Sequence, residues 1–346
     1  MKKQIKASVL IANYNNQKFI DQCIKSLLNQ TYQKIEIIFH DDYSKDNSIK
    51  EIEKYKSIKI IKNKKKTKFG SFNQLAAYER SFKKSKGDII TKVLIIGANG
   101  QLGSDLHEVC ESENFHVELA NHTDINIENV DSVSNLLNDI RPDVIFNTAA
   151  YHNVPICEEN PELSFAVNAL GALNVARVAE NLNSINVYFS TDYVFDGKKQ
   201  APYEESDLPN PLNIYARSKL LGEYYSLNYC SKSYVLRISG IYGSTVCRAK
   251  GNNFITTMIK LSSEKDKIKV VTDEILTPTP TMLISEKTVE IIKNYRSGLY
   301  HLTCEGHCSW YEFAKKIFET LNINIRVEKT TSNEFPSSVN RPSYSV

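Results

Sequence analysis

A glycine-rich turn that directly follows a short apolar run is the feature that most constrains how this chain can fold. The run is Lys92–Ile96, and the turn is Gly97-Ala-Asn-Gly-Gln-Leu-Gly103. Glycines at this spacing allow a tight turn, a close approach of the backbone to a pyrophosphate, and close packing of the next helix on the strand. The pattern therefore predicts an α/β fold with a Rossmann-type parallel sheet that binds a dinucleotide at this turn.

A second apolar run and a helical motif follow farther along the chain. Asn186–Phe189 is the run, Ser190 and Thr191 come directly after it, and Tyr215 and Lys219 are four residues apart. Residues at that spacing share one face of a helix. A hydroxyl at a strand end, with a tyrosine and a lysine nearby, can orient a carbonyl group and protonate its oxygen. We expect hydride transfer between a nicotinamide cofactor and a carbonyl compound, with Thr191, Tyr215 and Lys219 as the catalytic residues.

The composition is that of a globular protein and excludes several other classes. Of the 346 residues, 41% are hydrophobic and 24% are charged, and the seven cysteines are mostly scattered. Scattered cysteines are typical of reduced thiols, so we expect a cytoplasmic protein. No apolar run approaches the roughly 20 residues of a membrane span, so none is expected. The basic cluster Lys64–Lys68 has no interleaved aromatic residues, so no nucleic-acid partner is expected.

The distribution of charge indicates two units, 1–90 and 91–346. Residues 1–90 carry 20 lysines and arginines against 9 acidic residues, whereas the remainder carries 23 against 31. No Gly/Ser/Pro-rich linker separates the two units. In the first unit, sequence patterns predict strands at 7–11, 35–39 and 58–61, and helices at 19–29, 49–55 and 73–84.

The first unit resembles the opening part of a family-2 glycosyltransferase. The matching segments are Ser8–Tyr14, Ser26–Tyr32, Glu36–Ile38, Asp41–Asp46 and Gly87–Ile90. The resemblance implies that Asp41 and Asp42 hold the base and ribose of a sugar nucleotide. The metal-binding Asp-x-Asp and the acceptor domain of that family do not follow Ile90. We therefore expect an incomplete glycosyltransferase-like α/β unit without transferase activity, because nothing stabilises the leaving diphosphate.

The second unit resembles the dTDP-4-dehydrorhamnose reductases of the extended short-chain dehydrogenase/reductase superfamily. The matching segments are 97–103, 141–151, 190–197, 215–219, 237–243 and 310–314, with further matches at Asn253 and Arg341. The resemblance implies a Rossmann sheet followed by a smaller substrate-binding part. It implies NADPH-dependent reduction of a nucleotide-linked 4-keto-6-deoxyhexose at C4, for surface polysaccharide synthesis. Family members continue beyond the position of Val346 with a segment that is usually helical; whether Val346 is the natural end is left open, as is a homodimer.

The same resemblance assigns the binding residues. The implied cofactor-binding residues are Gly97, Asn99, Gly100, Gln101, Leu102, Gly103, Asp124, Ile125, Ala149, Ala150, Tyr151, Tyr215 and Lys219. The implied substrate residues are Asp192, Val194, Phe195, Asn253 and Arg341. The strand 117–120 is followed by Asn121 and His122 and not by an acidic residue that would select NAD. NADPH is therefore favoured, with NADH as the alternative.

Three departures from the reductase pattern fall in segments expected near the sugar. A family tryptophan is replaced by Gly240, and the loops at His152–Pro155 and Glu274–Leu276 also differ. Either the sugar differs from the rhamnose precursor or substrate binding is impaired. Two alternatives to the reductase therefore stay open: a nucleotide-sugar epimerase, and a catalytically silent cofactor-binding fusion protein.

The segment His301–Cys308 contains two histidines and two cysteines. Their spacing fits no usual pattern of paired zinc ligands, so no metal site is predicted.

Overall fold

The computed structural model describes residues 7–13, 20, 24, 35–41, 45–56, 58–62, 91–245, 251–335 and 339–346. The chain divides into two compact units, Met1–Gly87 and Asp88–Val346. The predicted helix 73–84, the basic cluster Lys64–Lys68 and Asp42 lie outside the described residues, as does most of the predicted helix 19–29.

The first unit contains three parallel strands in the order β1-β2-β3. They are β1 (Ala7–Asn13), β2 (Ile35–Asp41) and β3 (Lys59–Lys62), and helix α1 (Ser48–Glu53) lies between β2 and β3 in the chain. These strands lie where the apolar runs predict them. A small core of isoleucines, Ile20, Ile24, Ile52 and Ile58, is buried in this unit. Asp41 is the last residue of β2.

The second unit is built on a six-stranded sheet in which all neighbouring strands are parallel. Its strands are β4 (Lys92–Ile96), β5 (His116–Ala120), β6 (Val144–Asn147), β7 (Ile185–Thr191), β8 (Ser233–Ile238) and β13 (Gly298–His301), in the order β13-β8-β7-β6-β4-β5. The predicted Rossmann-type parallel sheet is confirmed.

Helices cover both faces of this sheet. Those named here are α2 (Gln101–Ser112), α3 (Val130–Ile140), α4 (Val154–Glu159), α5 (Pro161–Phe165), α6 (Gly171–Leu182), α7 (Ile214–Tyr229), α8 (Phe254–Glu264), α9 (Thr281–Asn294) and α10 (Trp310–Leu321). A π-helical turn, Ala166–Leu170, links α5 to α6. No helix in the described part of the chain is long and apolar enough to cross a membrane.

Side chains of β4 alternate between two cores because successive residues of a strand point to opposite faces. Val93 and Ile95 belong to a core that also contains residues of α2 and α9. Leu94 and Ile96 belong to a second core, with residues of α3 and α6. All four β4 side chains are almost completely buried. The sheet is therefore the middle layer of three, and only its edges and strand ends are left for ligands.

The order of the strands creates a crevice at the carboxyl end of β4. The chain passes from β4 to β5 on one side and then crosses to β6 on the other side. The connections that follow neighbouring strands run in opposite directions at this point and leave a gap between them. Ligands of open α/β sheets bind in such gaps. The glycine turn 97–103 follows β4 and therefore lies at this crevice.

The C-terminal part of the second unit forms a smaller core beside the sheet. It consists of α8, α10 and a parallel pair of strands, β10 (Lys267–Val271) and β15 (Arg326–Thr330). Both helices begin with capping boxes, at Asn253 and Ser309. Short strands β9 (Ile241–Tyr242), β11 (Ile275–Leu276), β12 (Thr279–Pro280), β14 (Cys308–Ser309) and β16 (Tyr344–Ser345) form the two remaining small sheets.

Gly222→Ala is expected to lower the stability of the second unit. A Cβ at Gly222 would clash with the hydroxyl of Tyr188 and the carbonyl oxygen of Asn168. Alanine is the better helix former by about 1 kcal/mol, so propensity alone predicts a gain, whereas overpacking costs about 1–3 kcal/mol. Thermal unfolding checks the net effect, with exposed Asn228→Ala on the same helix as the control. A rise in the unfolding midpoint of Gly222→Ala would contradict the close packing of α7 on β7.

Candidate functional site

A cavity of about 1080 Å³ opens at the carboxyl ends of β4, β6 and β7. Its lining includes residues 97 and 99–103 of the glycine turn, 121–122 after β5, 148–150 after β6, 190–193 at the end of β7 and just after it, and Tyr215 and Lys219 of α7. The predicted dinucleotide turn and the predicted catalytic residues therefore line one continuous space.

The glycine turn fits a group that must approach the backbone closely. Gly97 has a φ of +80°, and a Cβ there would lie 2.7 Å from Thr148 Oγ1 and 3.1 Å from the Ala149 nitrogen. A Cβ at Gly103 would lie 2.5 Å from the Gly97 carbonyl oxygen and 2.8 Å from Ala98 Cα. Position 97 thus requires glycine because its φ is positive and because the residues that follow β6 lie too close for a Cβ. Position 103 requires glycine because α2 packs closely on the turn. Gly100 faces the cavity and is the N-cap of α2, where backbone N–H groups favour a phosphate.

Most of the predicted cofactor-binding residues line the cavity, and two do not. Those in the lining are Gly97, Asn99, Gly100, Gln101, Leu102, Gly103, Ile125, Ala149, Ala150, Tyr215 and Lys219. Asp124 lies outside it, because its carboxylate accepts a hydrogen bond from the Asn121 nitrogen at 2.8 Å and closes the turn after β5. Tyr151 also lies outside, and its backbone N–H and C=O are both paired with the Asn168 side chain. Asn121, which the sequence did not single out as a binding residue, accepts from the Asn99 nitrogen at 3.0 Å.

The three predicted catalytic residues meet at the end of β7. Thr191 is its last residue, and its hydroxyl donates to the Asp192 carboxylate at 2.9 Å. Burial raises the pKa of Tyr215, and a hydrogen bond with Thr191 opposes that rise. Burial is the larger of these two effects. Tyr215 is therefore held in its protonated form, which is the form that can donate a proton.

Lys219 is buried against β7. Its Nζ donates to the Phe189 carbonyl oxygen at 2.5 Å and lies 4.0 Å from the centre of the Tyr188 ring. Burial lowers the pKa of Lys219 to about 7, and the carboxylate of Glu223 opposes that change. The ammonium is therefore close to losing its proton at neutral pH, unlike an exposed lysine.

A second cavity, of about 500 Å³, adjoins the first. Val154, Tyr193, Phe254, Glu274 and Trp310 line both cavities, and Lys269 and Arg341 line the second. This space combines aromatic rings with two cationic side chains.

The predicted substrate residues fall into two groups. Asp192 and Asn253 line the first cavity and Arg341 lines the second. Val194 and Phe195 line neither cavity and are almost fully buried. The Phe195 ring stacks on Tyr203 with centroids 4.1 Å apart, so its side chain is used in packing.

The departures from the reductase pattern change the wall of the cavity. Gly240 has a φ of +53°, and a Cβ there would lie 2.7 Å from Leu276 Cδ1 and 2.9 Å from the Thr277 carbonyl oxygen. The backbone at this position therefore does not accept a tryptophan. Glu274 accepts a hydrogen bond from Trp310 Nε1 at 3.2 Å, and burial raises its pKa. An acidic group thus lies where the two cavities join.

The histidine and cysteine segment 301–308 does not gather its ligand-type side chains. His301 Nε2 lies 3.3 Å from an Arg237 nitrogen, and its Nδ1 lies 3.2 Å from the Tyr203 carbonyl oxygen. Within the described residues, no group of three or more His, Cys, Asp or Glu side chains is placed to hold a metal ion.

The parallel sheet, its glycine turn and the Tyr-x-x-x-Lys helix define a Rossmann-type dehydrogenase/reductase fold. The chain belongs to the family described as "RmlD substrate binding domain", whose model matches residues 91–346. A second model, "Glycosyl transferase family 2", matches residues 8–91. Both resemblances predicted from the sequence are confirmed.

Named relatives cover most of the second unit. The chain is 35% identical over 257 residues to the spore coat polysaccharide biosynthesis protein SpsK of Bacillus subtilis, covering 74% of this chain and 89% of that protein. It is 32% identical over 265 residues to the dTDP-4-dehydrorhamnose reductase of Escherichia coli K12, covering 72% and 87%.

Solved structures show the same fold. The dTDP-4-dehydrorhamnose reductase of Bacillus anthracis, in complex with NADP, has a TM-score of 0.71 and 37% identity, and the match covers 74% of this chain and 90% of that one. The reductase of Clostridium acetobutylicum has a TM-score of 0.70 and 40% identity, with 74% and 89% covered.

Lys219→Met is expected to stabilise the ligand-free protein at low pH. The pKa of Lys219 is about 7 in the folded protein and 10.5 in the unfolded chain. Burying the ammonium therefore lowers the free energy of unfolding by its full amount below pH 7, and by less as the pH rises toward 10.5. Removing the ammonium should raise the unfolding free energy at pH 6 by a few kcal/mol, and by less at pH 9. Denaturant titrations at both pH values measure the change, with exposed Lys315→Met as the control. A pH-independent difference between Lys219→Met and the wild type would contradict the buried ammonium.

Proposed function

We propose that residues 91–346 reduce the C4 keto group of a nucleotide-linked 4-keto-6-deoxyhexose with NADPH, in the synthesis of a surface polysaccharide. The observation that carries the proposal is the meeting of Thr191, Tyr215 and Lys219 in the same cavity as the glycine turn. Relatives named dTDP-4-dehydrorhamnose reductase, and a spore coat polysaccharide protein, support the substrate class and the pathway.

The residues present fit a dinucleotide at the glycine turn. Gly97 and Gly103 allow the turn and helix α2 to pack closely, a side chain at Gly100 would project into the cavity, and the N-terminus of α2 lines the same space. Asn121 and His122 line the end of the cavity beyond β5, where an acidic residue would repel a 2′-phosphate. NADPH, when bound, supplies the hydride that is added to C4 of the sugar. The NADP in the Bacillus anthracis relative supports this choice, with NADH as the alternative.

The chain's own residues handle the proton. Tyr215 donates its phenolic proton to the keto oxygen as that oxygen gains charge, and solvent later restores the proton. The Thr191 hydroxyl, which donates to Asp192 in this structure, would turn its proton to the keto oxygen and so orient that oxygen toward Tyr215. Lys219, held on the Phe189 carbonyl, places a positive charge beside the reacting group.

The nucleotide part of the substrate fits the second cavity. Arg341 lines it and would balance part of the charge of a diphosphate, whereas Lys269 is already paired with Glu334 at 2.9 Å; Trp310 and Phe254 offer aromatic faces to a base. The sugar would then lie between the two cavities, beside Glu274 and Gly240. Because these residues depart from the reductase pattern, the sugar is expected to differ from the rhamnose precursor.

The test of the function is NADPH oxidation by the full chain across a panel of 4-keto nucleotide sugars. Turnover with net NADPH consumption supports a reductase. Interconversion of sugars without net consumption would instead mean an epimerase. Cofactor binding without either reaction across the panel would mean a catalytically silent protein.

The remaining features of the chain are also proposals. We propose that the protein acts in the cytoplasm, without a nucleic-acid partner, and a homodimer of the second unit stays open. Units 1–90 and 91–346 are taken as separate domains. Asp41 ends β2, where a sugar nucleotide would be held, and the absence of transferase activity stays a prediction.

Gly100→Leu is expected to abolish NADPH binding while leaving the protein folded. The backbone at Gly100 is extended, with φ of −83°, and a Cβ there would meet Gly97 O only at 3.2 Å. The leucine side chain would therefore occupy the space of the pyrophosphate and not disturb the core. Calorimetric titration of the variant should show NADPH affinity at least about 100-fold weaker. Exposed Ser263→Leu serves as the control, and unchanged affinity of folded Gly100→Leu would place the dinucleotide elsewhere.

Tyr215→Phe is expected to keep NADPH affinity but to lower kcat by about 100-fold or more, the usual scale for a lost general acid. The control is Tyr225→Phe on the same helix, outside both cavities. Steady-state rates and NADPH titration separate the two effects. Wild-type turnover in Tyr215→Phe would show that another group donates the proton.

A further inference from the structure

A buried ion pair lies directly behind the end of β7. The Glu223 carboxylate accepts from Arg237 Nε at 2.9 Å and from a second guanidinium nitrogen at 2.7 Å. Their side chains are each 4% exposed, so the pair is shielded from solvent. Neither residue lines the cavities. Two charges taken out of water cost free energy, and such a pair is weak evidence for stability in itself.

The ion pair is connected to the catalytic strand through Ser190. Ser190 and Arg237 are register partners of β7 and β8, so their side chains lie on the same face of the sheet. The Ser190 hydroxyl donates to Glu223 Oε1 at 2.5 Å. Ser190 directly precedes Thr191, whose hydroxyl would orient the keto oxygen. The carboxyl end of β7 is therefore held by a hydrogen bond from Ser190 to the buried Glu223 carboxylate.

The same carboxylate also acts on Lys219. Glu223 follows Lys219 by four residues on α7, so both side chains point toward β7. Lys219 holds the Phe189 carbonyl and Glu223 holds the Ser190 hydroxyl, which are consecutive residues of the strand. Helix α7 is thus bound to β7 at two adjacent points immediately before Thr191.

The proposal rests on the reductase reaction described above and adds two residues to it. We propose that Glu223 and Arg237 are positioning residues: together they fix Ser190, and through it Thr191, and Glu223 supplies the negative charge that keeps the Lys219 ammonium in place.

The charges around Lys219 agree with this role. The titratable and charged groups on the elements packed around this face are Tyr188, Asp192, Tyr193, Arg237, Cys157 and Glu158, with Tyr215 and Glu223 on α7 itself. Glu223 raises the pKa of Lys219 against the effect of burial. Arg237 is further supported by the Phe195 ring, 5.0 Å from its guanidinium carbon, which gives that buried ring a function in the site.

The chain offers a matched control for the Ser190 hydrogen bond. Asn186 Nδ2 donates to the Ser233 hydroxyl at 2.8 Å, and both residues are buried. They are register partners of the same two strands, at the amino end of the pair. Ser190→Ala therefore deletes a buried side-chain hydrogen bond between β7 and α7 at the carboxyl end of β7. Ser233→Ala deletes a buried side-chain hydrogen bond between β7 and β8 at the amino end.

The first experiment is hydrogen–deuterium exchange of the ligand-free full chain. Ser190→Ala should raise the exchange rate of the backbone amides at 190–195 severalfold, whereas Ser233→Ala should leave them unchanged. Unaltered exchange in Ser190→Ala, or equal changes in both variants, would overturn the proposal. This result does not depend on whether any sugar is reduced, so it is separate from a failure of the proposed function.

The second experiment uses the reaction itself. Ser190→Ala should lower kcat about tenfold, with KM and NADPH affinity within about twofold of wild type, because only the reacting geometry is disturbed. Ser233→Ala should keep the wild-type kcat.

Glu223→Gln should shift the upper pH limit of kcat downward by about one unit, because Lys219 then loses its proton more readily. Since Glu223→Gln leaves Arg237 unpaired in the interior, Ser190→Ala carries the test where that variant does not fold. A pH profile unchanged in folded Glu223→Gln would refute the effect on Lys219.

Discussion

The site depends on the close approach of helix α7 to strand β7. Gly222 permits this approach, because a Cβ there would clash with the Tyr188 hydroxyl and the Asn168 carbonyl. The Tyr188 hydroxyl donates to that same carbonyl at 2.9 Å and lies 3.4 Å from the Lys219 carbonyl oxygen of α7, so a polar group of β7 meets the helix here. At this short distance, Lys219 and Glu223 reach the backbone and side chain of the strand directly. A looser contact would leave both charges buried without partners, which the interior does not tolerate.

Sequence reasoning predicted the position of a residue correctly where that position follows from local backbone geometry. The glycine turn was predictable because a φ of +80° at Gly97 and close packing at Gly103 both require glycine. Tyr215 and Lys219 were predictable as a helical pair, and Thr191 as a residue at a strand end. Each of these features depends on a few consecutive residues and on the parallel sheet that the apolar runs predict.

The sequence was less informative where a role depends on which way a side chain points. Asp124 and Tyr151 follow their strands as expected, yet neither lines the cavity. Asp124 closes the turn after β5, and the Tyr151 backbone is bound by the Asn168 side chain. Val194 and Phe195 lie beside Asp192 in the chain but point into the interior. The pairing of Glu223 with Arg237 joins α7 to β8, and only the three-dimensional register of the sheet reveals it.

The short strand β16 has a consequence for the order in which the protein folds. It pairs with β11, and the Ser345 side chain is hydrogen-bonded to the Asp192 carboxylate, to which the Ser239 hydroxyl donates at 2.8 Å. The turn at 191–192, where the proposed catalytic residues meet, is therefore completed by residues about 150 positions later in the chain. Contacts so distant in sequence form late, because the entropy of closing the intervening loop must be overcome first. During synthesis on the ribosome, the dinucleotide crevice can form early, whereas the substrate side is finished only when residue 345 has emerged.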